Sequence, residues 1–545
     1  MSRPRRRPKP IGSALGCLLL CAAGFAPPLW AETLPAAPAQ PELSALDGLE
    51  IIRIVLRRHD IFDTSKPETS AWPYRWANSL HVVTQERFIR SLLLFKEGDP
   101  YSAHDAAESA RILRALDFLN PVEISAHPAE GGVEVVVETQ DRWTLEVGAQ
   151  AGLWGDRSSY GFEFTEKNFI GWGRQVTVEF ESDNERDSWT YILFDPNLLG
   201  SRWRGRVQHE DTTHGARDLV RFDLPFYSLA SDRSWGVEWE RDYDREYLYS
   251  AAEIRVRGMR RLDAWRLLGG LRLGGDSTAA RRLIVSWVYH RETYSDWTWL
   301  EPEQPYPSPE RIRVSGPRLE YRRVADRFLV LQGFRQWSKQ EDVALGPSFN
   351  LGMTVSSPGF GGDRRRVLVD GAYQVATRRD SWLLLGDAWF AGRLDDGDGN
   401  DFTVGLQVAA ARLGRRGWQA RLKVEESHDL DSNRQLTLGA DTGLRGWDPD
   451  YWDGSGRAVA NLQWRTILKE EVAHLFSLGL VLFVDSGYTW DARVGPGTDR
   501  VHGDVGVGLL ADLTRIGSTN ILRCDVALPD DGTGLVVTVT TATLF

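Results

Sequence analysis

From about Trp143 to Phe545 the chain has no helical periodicity; apolar and polar residues alternate one by one in short segments separated by Gly, Asp, Asn and Arg turns. Val176, Val178 and Phe180 alternate with Gln175, Thr177 and Glu179, and Trp235, Val237 and Trp239 with Gly236, Glu238 and Glu240. Trp418, Ala420, Leu422 and Val424 alternate with Gln419, Arg421, Lys423 and Glu425, and Val537 and Val539 with Thr538 and Thr540. A period of two places one set on each face of a strand. Any single segment of this kind would also suit a soluble sandwich with one wet face. The whole stretch suits a barrel better: a spanning strand of ~9 to 11 residues with its turns uses about 25, which gives roughly 16 strands. The 22 Trp and 15 Tyr residues would furnish interfacial girdles, and the charged face a polar lumen.

Targeting signals point the same way. Residues 1–31 read as a secretory signal peptide, with Arg3, Arg5, Arg6, Arg7 and Lys9 ahead of an apolar stretch from Ile11 to Phe25 and a cleavage site after Leu29-Trp30-Ala31. Cys17 and Cys21 raise a lipoprotein as the alternative, but neither sits in a convincing lipobox. Beyond the leader no run approaches ~18 apolar residues, so a membrane-embedded form has to be a barrel. The net charge of -11 argues against nucleic acid, and loss of the basic leader makes the chain more acidic still. Only Cys524 lies beyond the leader, which excludes an internal disulfide.

Residues 32–45, rich in Pro and Ala, read as a linker, and 46–142 as a small α+β domain. A strand is expected over Leu49 to Leu56. After a long aromatic connection from Asp60 to Val82, a helix opened by Thr84 would carry Phe88, Leu92 and Phe95 on one face and stop at Gly98-Asp99-Pro100. Ser102 with Asp105 caps a second helix through Ala106, Ala110, Leu113 and Leu116, ending at Asn120-Pro121. Val122, Ile124 and Ala126, then Val133, Val135 and Val137 after Gly131-Gly132, form two more strands. The fold class expected is therefore mainly β: a transmembrane antiparallel barrel over 143–545 behind one α+β domain.

The stretch from Leu92 to Trp143, with its Gly98-Asp99-Pro100-Tyr101 and Leu113-Arg114-Ala115-Leu116 pieces, resembles a POTRA domain, the periplasmic module of the BamA/TamA-type surface-antigen superfamily. Within the barrel, Gly443-Leu444-Arg445-Gly446-Trp447 resembles the family's Arg-Gly-aromatic loop, with Leu and Trp where Val and Phe or Tyr are usual. Phe483-Val484-Asp485-Ser486-Gly487 resembles its Asp-x-Gly segment, Leu522 to Ala527 its late strand, and the terminal Phe545 its assembly signal, although Thr543 departs from the usual apolar residue. The resemblance implies that the loop enters the lumen and that Arg445 meets an inner-wall acid. Asp485 is the candidate partner, with Asp448 the local competitor. A desolvated guanidinium needs such a carboxylate.

Enzymatic chemistry leaves no readable trace: there is no His-Glu-x-x-His, Gly-x-Ser-x-Gly, P-loop or Cys-pair metal site, and no cofactor is expected. Asp396-Gly397-Asp398-Gly399-Asn400-Asp401 begins like a calcium loop but has Asp at its sixth position and Gln407 at its twelfth, so it reads as a hairpin turn. The resemblance implies an outer-membrane protein, its POTRA domain in the periplasm, that inserts or translocates unfolded client polypeptides. Its partners would be the outer-membrane bilayer, those clients and accessory assembly proteins. The competing expectation is a passive pore without insertase activity.

Overall fold

The structure, a computed structural model, describes residues 45–154, 157–183, 185–276, 279–495, 497–515 and 521–542. The leader and its cleavage site, all but residue 45 of the linker, Thr543 and Phe545 lie outside the described residues. What is described forms a small α+β domain packed on one mouth of a closed antiparallel barrel.

The domain's sheet has the order β1 (Ile51–His59), β3 (Gly132–Asp141), β2 (Leu119–Ala129), with β1 parallel and β2 antiparallel to the central β3. Val133, Val135 and Val137 turn one face of β3 inward, where α2 (Glu86–Leu92) and α3 (Ala103–Arg114) cover it with Phe88, Ile89, Ala110 and Leu113. The Ser102 hydroxyl caps α3 by accepting the Asp105 N–H at 3.2 Å. Two expectations fail here. Thr84 does not cap α2, which starts at Glu86 without a side-chain cap. Thr84 instead donates through N–H and hydroxyl to Asp141, at 2.7 and 2.8 Å, joining His81 Nε2 at 2.9 Å on the same buried carboxylate oxygen. The aromatic connection also contains a helix, α1 (Trp72–Leu80), none of whose residues is buried.

The barrel runs from the strand Leu145–Trp154 to Val536–Ala542, which lie side by side and close it. Among the described residues its ring contains 22 strands, more than the roughly 16 expected. One of them, Glu303–Pro305, is a three-residue return of its neighbour, and Arg327–Gln332 continues the line of Ile312–Ala325 along the same partner, Gln340–Ser356. The remaining excess comes from turns tighter than assumed. Asp396 and Gly397, for example, both at positive φ, join Trp382–Asp395 to Asp398–Arg412 as a two-residue hairpin in the calcium-like segment. Strand length varies from three residues in Glu303–Pro305 to 24 in Glu253–Asp276.

Alternation sorts the faces. Trp235, Val237, Trp239, Leu422, Leu482 and Val484 are exposed on the exterior, whereas the opposite face carries ion pairs such as Arg217–Glu240 at 2.7 Å, Arg318–Asp370 at 2.6 Å and Arg457–Glu425 at 2.6 Å. An exterior band rich in large apolar side chains is the kind of surface that a bilayer covers. No helix among the described residues is long and apolar enough to cross a membrane.

The domain is held to the mouth by specific contacts. The Phe88 ring reaches the barrel turn at Gly173, where φ is +64° and a Cβ would lie 2.2 Å from the ring. Arg114 forks onto Asp342 at 2.9 and 2.7 Å, Lys339 meets Asp117 at 2.8 Å, and Arg202 donates to the Leu93 carbonyl at 2.7 Å. Burial at this junction pulls the Arg142 guanidinium down to about 10, leaving it charged at neutral pH, and it donates to the Ser338 carbonyl at 2.7 Å.

Candidate functional site in the barrel lumen

Between the strands Arg416–His428 and Gly456–Val472, residues 429–455 fold into the far end of the barrel. The insertion is pinned around the wall: Asp431 accepts the fork of Arg393 at 2.7 Å, Asn433 donates to Glu246 at 2.9 Å, Gln435 donates to the Tyr249 carbonyl at 3.1 Å, and Tyr306 donates to the Ser432 carbonyl at 2.8 Å. Asp453, fully buried, accepts the N–H groups of Arg493 and Val494 at 2.7 and 2.9 Å, tying the loop to the next one.

At its tip Arg445 donates Nε to Asp485 Oδ2 at 2.7 Å and Nη2 to Oδ1 at 2.8 Å. Its remaining Nη1 donates to Gln463 Oε1 at 3.0 Å, and the guanidinium lies 3.7 Å over the Phe483 ring. Asn461 completes the set by donating one amide N to both Asp485 Oδ1 and the Gly443 carbonyl, each at 2.7 Å. Arginine and aspartate are both buried, so the pair exists because the planar fork matches the carboxylate and neutral amides satisfy the rest. Asp448, three residues along the loop, is not the acid on which this fork closes.

The Asp485-x-Gly487 spacing acquires a steric reason. Residues 485 and 487 share the lumen face of Phe476–Trp490, and a Cβ on Gly487 would come within 2.9 Å of Leu438 and 3.2 Å of Leu444. Asp485 thus takes the Arg while Gly487 makes room for the adjacent Leu444, which is fully buried. Gly446 is demanded from the other side, where a Cβ would lie 2.6 Å from that of Asp504. Trp447 packs against Trp452 at 4.4 Å and edge-on to His502 at 5.3 Å, filling the space beside the loop.

Sequence reading did not single out Gln463, Asn461, Gly506 or Asp504. The run Asn461-x-Gln463-x-Arg465 puts three polar side chains at period two on one lumen face, and that is the signal which would have found Asn461 and Gln463. It also overlooked the domain-end turn 333–339, which enters the lumen. Trp337 packs with Val481, Phe483, Leu510 and Ile521; Asp512 accepts the N–H groups of Trp337 and Ser338 at 2.7 and 3.0 Å, and Arg465 donates to the Gly333 carbonyl at 3.1 Å. Two insertions, one from each end, therefore meet the wall formed by the same late strands.

A closed barrel, one α+β domain on its mouth and an inward loop forked onto the wall are now all in place. The fold is a closed antiparallel β-barrel with an α+β domain at one mouth. Among solved structures, BamA from Haemophilus ducreyi lacking POTRA domains 1-3 is 13% identical at a TM-score of 0.37, with 90% of this chain and 83% of that one covered. CdiB from Escherichia coli is 13% identical at 0.46 (91% and 77% covered), and CdiB from Acinetobacter baumannii 10% identical at 0.42 (91% and 74%). No protein-family model matches the chain, and no curated protein is similar to it at a significant level. At such distances this chain's own residues have to carry any functional reading.

Proposed function

We propose that the chain is an outer-membrane protein of the BamA/TamA type that inserts or translocates client polypeptides, with its α+β unit acting as a periplasmic POTRA domain and without enzymatic chemistry. The observation that carries this is the Arg445 fork on Asp485 inside a closed barrel whose mouth is covered by that domain. Two insertions pinned across the lumen obstruct free flow through it, which favours this reading over a wide passive pore.

The sheet order supports a route for the client. On the β1 edge the groups of Ile54 are already engaged: its N–H donates to Glu97 at 2.9 Å and its carbonyl accepts from Arg90 at 3.0 Å. β2 is the opposite edge and pairs within the sheet only with β3. An extended client segment would add there by β-augmentation before reaching the barrel. Accessory assembly proteins would compete for the same edge.

Deleting residues 46–142 in a host depleted of the native protein tests the reading. Client levels in the outer membrane should fall as they do on full depletion; full restoration of every client by the truncated chain, shown to be folded by heat-modifiable mobility, would remove the mechanism.

A further inference from the structure

The helix α1 is fastened to the protein by one stripe only. Tyr74 packs on Phe62 with ring centroids 4.9 Å apart, and Asn78 both accepts from Phe62 N–H at 3.2 Å and donates to its carbonyl at 2.8 Å. The second stripe, Trp72, Trp76 and Leu80 at i, i+4 and i+8, is 70%, 59% and 56% exposed. Two indoles and a leucine held in water on a nine-residue helix are costly unless something covers them.

Position decides what does. Tyr74 Oη donates to the Ala473 carbonyl at 3.0 Å, and its ring meets His474 edge-on at 6.1 Å, so α1 sits against the rim turn between Gly456–Val472 and Phe476–Trp490. Leu468, Leu475 and Leu478 surround that turn, exposed at the edge of the barrel's exterior apolar face. The helical stripe thus continues the surface that the bilayer already covers. Exposed Arg75 on α1 offers a cation to lipid phosphates, whereas Lys66 just ahead of it is paired with Asp63 at 3.5 Å and Glu68 adds an acid.

We infer that α1 is an interfacial anchor: Trp72, Trp76 and Leu80 insert into the lipid headgroup region at the domain end of the barrel, which holds the α+β domain at a fixed tilt to the membrane. This rests on the membrane-embedded part of the proposed function but not on client handling.

The test uses the full chain with Cys524→Ser, the leader cysteines being removed with the leader, reconstituted in phosphatidylethanolamine–phosphatidylglycerol vesicles. An environment-sensitive fluorophore is attached at Trp76→Cys, at Leu80→Cys, at Val507→Cys on the barrel exterior or at Glu130→Cys on the exposed end of the domain, and is quenched by lipids spin-labelled near the headgroup or deep in the chain. Quenching at 76 and 80 should be several-fold greater than at 130 and stronger from the shallow label. If 507 is quenched while 76 and 80 match 130, the anchor is wrong and the barrel reading stands. If 507 is not quenched either, the membrane reading itself fails. Shielding of 76 that appears only when a soluble polypeptide is added would also overturn the anchor, in favour of a protein partner.

Discussion

A Cβ on Gly506 would lie 2.3 Å from the ring of Phe483, so the missing side chain at 506 is what lets that ring lie where Arg445 stacks over it. The two residues are directly paired across Phe476–Trp490 and His502–Leu513. Gly506→Ala should therefore displace Phe483, loosen Arg445 and cost about 1–3 kcal/mol, as overpacking does. Urea unfolding of the barrel in detergent checks this, with Val505→Ala on the exterior as a nearly neutral comparison.

Arg445→Ala leaves Asp485 buried without its cation, and Asp485→Ala strands the guanidinium in the same way. Each should destabilise by about 3–5 kcal/mol, and the double variant by clearly less than the sum, because removing both charges removes the uncompensated one. A double-mutant cycle on the unfolding midpoint measures the coupling. Additive losses would mean that the fork contributes little.

Trp337→Ala empties the domain end of the lumen beneath Val481 and Leu510. The expected cost is about 3–5 kcal/mol for a large buried aromatic. Single-channel conductance in planar bilayers should rise, since the indole is part of what fills that end; unchanged conductance would place the constriction at the 429–455 loop alone.

Arg114→Ala removes a two-bond link between α3 and Asp342 and should weaken docking of the domain by about 1–3 kcal/mol. Limited proteolysis near Arg142 ought to accelerate several-fold while the barrel's heat-modifiable mobility stays unchanged. Cleavage at the original rate would show that Phe88 on Gly173 suffices.

Much of this arrangement was legible in the chain. Alternation at Val176, Trp235 or Trp418 marks strands because the exterior there is apolar and the lumen polar, and the α+β order follows from the Ser102 cap and the valines of β3. Arg445 and Asp485 could be paired on paper because a buried guanidinium demands a carboxylate. Other parts were not legible, for physical reasons. Helix α1 buries none of its residues, so it has no core stripe to reveal it; its signal was the helical spacing of Trp72, Trp76 and Leu80 inside a Pro-containing segment. The 333–339 turn reads as an ordinary polar loop in which only Trp337 is out of place, and Gly506 matters solely through a ring on another strand. Strand count went astray because two-residue turns use far less chain than the average assumed.

Whether this barrel handles client polypeptides through a locked lumen loop is decided by depleting the protein in its host and quantifying the outer-membrane and secreted proteomes after rescue with the native chain or with Arg445→Ala. Depletion should remove a defined set of barrels or one exported protein, with recovery by the native chain and none by Arg445→Ala present at equal abundance. An unchanged proteome accompanied only by altered permeability would contradict it and leave a passive pore.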